Sequence, residues 1–113
     1  MSRKTLSLLS ALALAAAVLI PTAAFGGAHS AASHAVTLQN VRFRPGTLTI
    51  NRGDTVTWNW HRLRGEHNVT FRGLHSRTGS SGSFAVRFTR AGTFAYVCTI
   101  HAAEGMRGKI IVR

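Results

Sequence analysis

Short apolar segments that alternate with polar residues, broken by turn-forming residues at roughly eight- to twelve-residue spacing, are the feature that most limits what this chain can become. Thr47-Leu48-Thr49-Ile50 and Thr55-Val56-Thr57-Trp58-Asn59-Trp60 alternate clearly, with Leu48 and Ile50, then Val56, Trp58 and Trp60, on one face. Asn51-Arg52-Gly53-Asp54 between them reads as a turn, because glycine supplies a positive φ and Asn and Asp close local hydrogen bonds. These two segments are expected to be neighbouring strands. Further strands are expected at residues 35–38, 67–71, 84–88, 93–98 and 109–112, with a Gly/Ser-rich loop over residues 73–82. From residue 29 onward no window sustains a helical period and no internal repeat is visible. The fold class implied is all-β, an antiparallel Greek-key β-sandwich. Along 93–98 the alternation points Phe94, Tyr96 and Cys98 inward together, so the sulfur falls at the end of the core.

The N-terminal segment reads differently. Arg3 and Lys4 precede an apolar run of 15 residues, Leu6 to Ile20, interrupted only by Ser7 and Ser10 and followed by Pro21 and small residues. This is the layout of a secretory signal peptide, residues 1–28, with cleavage somewhere between residues 23 and 28. As a membrane span it falls short of the roughly 20 residues a bilayer needs, which leaves an uncleaved anchor as the weaker alternative. Residues 29–34, rich in Ala and Ser, read as a flexible leader, and residues 35–113 as a single domain. Export to the periplasm, the cell envelope or the medium follows, yet the chain has a single cysteine, so no internal disulfide can form.

The 113-residue chain has 14 Lys plus Arg against 3 Asp plus Glu; without Arg3 and Lys4 the net charge is +9. Such a surface attracts anionic partners. Nucleic acid is disfavoured, because export removes its compartment and the arginines are scattered singly instead of forming a run with stacking aromatics. The charge fits an anionic partner protein or an anionic membrane surface; the chain is read as a monomer with no spanning helix after the signal peptide.

The chemistry concentrates in Cys98-Thr99-Ile100-His101-Ala102-Ala103-Glu104-Gly105-Met106, which holds the only cysteine and, Met1 apart, the only methionine. A thiolate, an imidazole and a thioether on one short loop form a soft donor set, and soft donors select copper over hard ions. A trigonal plane of two histidines and one cysteine with a weak axial methionine needs a second imidazole. His67 is the choice, at the start of a strand that a sandwich can bring beside the Cys98 loop. His61, after Trp60, is the competitor and reads as a surface group; His75 lies in the Gly/Ser loop; His29 could chelate copper only as a new N-terminus. Asn68 is either a tie between the His67 segment and the Cys98 loop or an ordinary strand-edge residue.

At these residues the sequence resembles the blue copper proteins, or cupredoxins, particularly their plastocyanin-like and pseudoazurin-like members. His67-Asn68-Val69 matches the segment that carries the family's first ligand, and Cys-x-x-His-x-x-x-x-Met is matched by Cys98, His101 and Met106. Phe43 to Ile50 and Gly53 to Trp58 look like the family's second and third strands. The chain departs at Ile100, where members usually carry proline, in the basic segment 61–66, and in lacking an acidic patch. The resemblance implies one copper ion cycling between Cu(II) and Cu(I), held by His67, Cys98, His101 and Met106. It implies a one-electron carrier, not an enzyme, in which His101 passes the electron at a solvent edge to and from redox donor and acceptor proteins. The alternative is a copper-delivery protein that holds Cu(I) without turnover; a basic surface-binding domain with a vestigial site is a third reading.

Overall fold

The computed structural model describes residues 30–113. The segment read as a signal peptide, and His29 with it, lies outside the described residues. Nine strands and one short 3₁₀ turn make up the described part: β1 (Ser33–Gln39), β2 (Arg42–Arg44), β3 (Thr47–Ile50), β4 (Thr55–Trp60), β5 (Thr70–Phe71), β6 (Leu74–His75), β7 (Gly82–Arg87), β8 (Gly92–Val97), the turn Ala102–Glu104, and β9 (Arg107–Val112). They form a four-stranded sheet in the order β2-β1-β4-β7 and a five-stranded sheet in the order β3-β9-β8-β5-β6. The β-sandwich follows the expectation, but its sheets are mixed. β1 runs parallel to β4, with Ser33 opposite Thr55, and β3 runs parallel to β9, with Ile50 opposite Val112. Parallel partners need long connections, so they are remote in sequence and no local signal announces them.

The 51–54 turn does not make β3 and β4 neighbours. It carries the chain from one sheet to the other, so the two strands lie in opposite layers, each presenting its apolar face to the same core. Asp54 organises this corner. Its buried carboxylate accepts from the backbone N–H of Ala32 at 2.9 Å and of Asn51 at 3.0 Å, and pairs with His34 Nε2 at 3.0 Å. Those bonds draw the preceding chain into the sheet, so β1 already begins at Ser33, within the stretch that composition marks as a leader.

The interior follows the alternation. Val36 and Leu38 of β1, Phe43 of β2, Val56, Trp58 and Trp60 of β4, Tyr96 of β8 and Ile110 and Val112 of β9 are all buried. Tyr96 sits among aromatic rings, with centroids 4.7 Å from Phe43, 5.0 Å from Phe71 and 5.3 Å from Trp58. The Phe43 and Trp58 pairs are edge to face, a geometry that adds about 0.5–1.5 kcal/mol each beyond the area buried. The Tyr96 ring also lies over Gly108, its partner across β8 and β9, where a Cβ would stand 2.5 Å from the phenol oxygen.

Residues 67–71 form a strand only over Thr70–Phe71, paired with β6 and β8. Before it, Val69 N–H donates to the Ser76 hydroxyl at 2.9 Å, and His67 makes an isolated bridge to Gly79. The Gly/Ser-rich stretch therefore contributes β6 and a loop that clamps the His67 segment. Among the described residues no helix is long and apolar enough to cross a membrane.

Candidate metal centre

Three chain segments meet where the sandwich closes beyond Trp60 and Val97. The β8 strand delivers Cys98 one residue past its end, and the loop returns to β9 through Met106. Backbone bonds fold this loop tightly: Cys98 N–H donates to the Met106 carbonyl at 3.0 Å, His101 N–H to the Cys98 carbonyl at 3.2 Å, and Met106 N–H to the His101 carbonyl at 3.2 Å. Gly105, at φ 88°, takes the left-handed conformation that ends the 3₁₀ turn and reverses the chain before Met106. Cys98 and Met106 are fully buried in the apolar core, and His101 is half-buried.

His67 arrives from the other side. Its backbone pairs with Gly79 in both directions, at 2.9 and 3.1 Å, and its Nε2 lies 3.1 Å from the Arg64 carbonyl. The Nε2–H donates to that carbonyl, which leaves Nδ1 unprotonated and pointing toward the Cys98 sulfur, 4.0 Å away. His101 Nδ1 is 3.7 Å from the same sulfur. All three donor atoms lie within 4.8 Å of one another. Two donors bonded to one first-row ion at about 2.0–2.3 Å, at near-trigonal angles, stand roughly 3.5–4 Å apart. The two sulfur–nitrogen separations are too long for good hydrogen bonds and right for a shared ion. Burial lowers the pKa of His67, the Arg64 carbonyl opposes that shift, and the neighbouring His101 reinforces it. The net effect favours the neutral imidazole, the form that ligates.

Asn68 joins the two halves of the site. Its Nδ2 donates to Thr99 Oγ1 at 2.7 Å and to Thr78 Oγ1 at 3.0 Å. Its Oδ1 accepts from Thr99 N–H at 3.0 Å and from the Thr70 hydroxyl at 2.9 Å. Its backbone N–H points at Cys98 Sγ from 3.5 Å, a donor that steadies negative charge on the sulfur. Of the two readings open for Asn68, the tie is the one the structure bears out.

Residues 30–113 match the family described as copper binding proteins, plastocyanin/azurin family. The chain belongs to this family. It is 38% identical over 77 residues to a halocyanin of Natronomonas pharaonis, a match covering 62% of this chain and 47% of that protein. It is 34% identical over 85 residues to an amicyanin of Paracoccus denitrificans, covering 68% of this chain and 63% of that protein. A Scenedesmus fuscus plastocyanin is 31% identical over 85 residues, covering 63% of this chain and 86% of its own length. Among solved structures, an oxidised amicyanin variant superimposes with a TM-score of 0.60 at 31% identity, covering 70% of this chain and 80% of that one. The cofactor of this cupredoxin is copper, and the donor chemistry agrees: one thiolate, two imidazoles and a buried thioether suit a soft ion and offer nothing to a hard one.

The remaining histidines fall elsewhere. His61 and His75 are exposed, and His34 is engaged with Asp54. Ile100, next to His101 in the chain, is 49% exposed. Thr99, Thr78, Ser76 and the Arg64 carbonyl carry the supporting hydrogen bonds, and nothing in their sequence context singles them out.

Proposed function

We propose that this cupredoxin is an exported one-electron carrier with a type 1 copper centre, which His67, Cys98, His101 and Met106 would hold. The observation that carries the reading is the cluster of His67 Nδ1, Cys98 Sγ and His101 Nδ1 within 4.8 Å at the closed end of an apolar core. Bound there, copper supplies a one-electron Cu(II)/Cu(I) couple. The chain supplies the rest. The Arg64 carbonyl fixes the His67 tautomer, and Asn68 and the crossed backbone bonds of the loop hold Cys98 against either half of the site moving. Cys98 is itself fully buried in the same core cluster as Met106 and Val69, which keeps water from the sulfur. His101, the half-exposed member, is the edge through which the electron enters and leaves.

The same reading makes residues 1–28 a removed signal peptide, with the mature protein working as a monomer in the periplasm or cell envelope alongside redox donor and acceptor proteins. Metal delivery is less well supported, since a cargo site should open readily and three of the four donors here, His67, Cys98 and Met106, have no solvent exposure. The test is the spectrum of the copper-loaded protein. An intense blue colour that bleaches reversibly on reduction is expected, and Cys98→Ser should abolish it. A colourless Cu(II) complex, or a Cys98→Ser variant that stays blue, would refute the assignment.

A further inference from the structure

A groove of about 890 Å³ runs along the flank of the sandwich where β2, β9 and the metal loop meet. Strand alternation builds it: β2 turns Phe43 inward and Arg42 and Arg44 outward, while β9 turns Ile110 inward and Arg107 and Lys109 outward. Arg42, Arg44 and Arg107 line the groove with a single carboxylate, Glu104. The ion pair formed among the described residues is His34 with Asp54, so none of these three guanidinium groups is neutralised by a neighbour. Val41, 41% exposed, and Pro45 add an apolar strip between the cations. At its upper end the groove reaches Glu104 and Gly105, and Glu104 N–H donates to the His101 carbonyl at 2.9 Å. An occupant of the groove therefore touches the loop that carries His101 and Met106.

We propose that this groove is the docking site for a carboxylate-rich segment of the redox protein that exchanges electrons with this chain. The inference rests on the electron-carrier reading and deepens it by naming the surface and the chemistry of the partner. Guanidinium forks grip carboxylates in pairs, and Val41 and Pro45 give the segment an apolar footing. A partner held there lies against one side of the loop and leaves the His101 edge accessible to its redox group. Arg52 and Arg90 lie at the opposite end of the sheets, beyond the Asn51 turn and the start of β8, and serve as controls of equal charge.

The test uses a hexaglutamate peptide titrated into the full mature protein, metal-free and Cu(I)-loaded, with backbone amide NMR shifts as the readout. Shifts concentrated on residues 41–46 and 103–107 are expected. Binding should weaken about tenfold in Arg42→Glu/Arg107→Glu and much less in Arg52→Glu/Arg90→Glu, although both doubles change the net charge equally. The milder Arg42→Gln/Arg107→Gln pair should fall between. Equal losses in the two charge-reversed doubles, or shifts spread over every exposed arginine, would overturn the proposal. Tighter capture of phosphatidylglycerol vesicles than of peptide through the same arginines would overturn it too. Because the peptide is also read against metal-free protein, a failed copper spectrum leaves this result standing and identifies which of the two ideas has failed.

Discussion

Replacing Asn68 by Ala should loosen the fold and the metal site together, and the structure allows the size of the effect to be worked out. The side chain makes four hydrogen bonds, two given to Thr99 and Thr78 and two received from Thr99 and Thr70. Each such bond contributes about 0.5–1.5 kcal/mol net. Thr99 and Thr78 are exposed and regain water when Asn68 is truncated, which discounts the sum to about 2–3 kcal/mol. In a domain of this size 1 kcal/mol moves the melting temperature by about 4–8 °C, so the metal-free variant should melt roughly 10–20 °C lower in calorimetry. The copper site should suffer in addition, because the bridge from the His67 segment to the Cys98 loop is gone. Competition with a Cu(I) chelator should show an affinity lower by about 10–100-fold. Asn68→Asp keeps the acceptor for Thr99 N–H but loses both donors and brings a negative charge near the thiolate, so it should weaken copper retention at a smaller cost in packing. A melting temperature within about 3 °C of wild type for Asn68→Ala, with unchanged copper affinity, would refute the claim that this side chain joins the two halves of the site.

Other perturbations probe the frame. The Asp54 carboxyl is held down from 3.8 to about 2, chiefly by the Ala32 N–H, then by the His34 side chain and the Asn51 N–H. A depressed folded pKa means its contribution is complete above the unfolded value and is lost as pH falls from about 3.8 through about 2. Asp54→Asn should therefore flatten that acid limb in urea unfolding of the metal-free protein, and parallel curves would count against it. Gly108→Ala places a Cβ against the Tyr96 ring and should cost about 1–3 kcal/mol by overpacking, measured by denaturant midpoint. Gly82→Ala, whose Cβ would meet the Trp60 indole, should behave alike. His61→Ala and His75→Ala should leave the copper spectrum unchanged, since both side chains are exposed away from the donor cluster.

What could be read from the sequence divides along physical lines. Alternation reports which face of a strand is buried, so the inward set of β4 and the line of Phe94, Tyr96 and Cys98 were legible before any coordinates. The loop from Cys98 to Met106 was legible because its donors sit close together in the chain. Pairing is another matter. The side-chain period of a strand is the same whether its neighbour is the next segment or one some sixty residues away, as with Thr47 and Lys109, so the parallel partners and the separation of β3 from β4 left no local trace. Residues 67–69 look like strand by composition, yet Val69 N–H is satisfied by the Ser76 hydroxyl and not by a ladder. A side chain that replaces a backbone partner in this way carries no periodic signature.

That substitution has a consequence for the site. A regular strand through residues 67–69 would be tied to its neighbours by backbone bonds alone, leaving the distance from His67 to the loop set by sheet twist. Here the segment is clamped by Gly79 behind His67, by Ser76 at Val69 and by the Asn68 side chain in front. The donor atoms of His67, Cys98 and His101 are thus placed by hydrogen bonds that belong to the protein, with each imidazole Nδ1 3.7–4.0 Å from the sulfur. On the electron-carrier reading, a frame tied by this many protein hydrogen bonds has little reason to move when the charge of a bound ion changes by one, and small rearrangement is what fast electron exchange requires. Variants that cut these clamps, such as Ser76→Ala, should therefore slow electron self-exchange by more than their loss of stability alone would suggest. A rate that holds while the melting temperature falls would show that the metal, and not the hydrogen-bonded frame, sets the geometry.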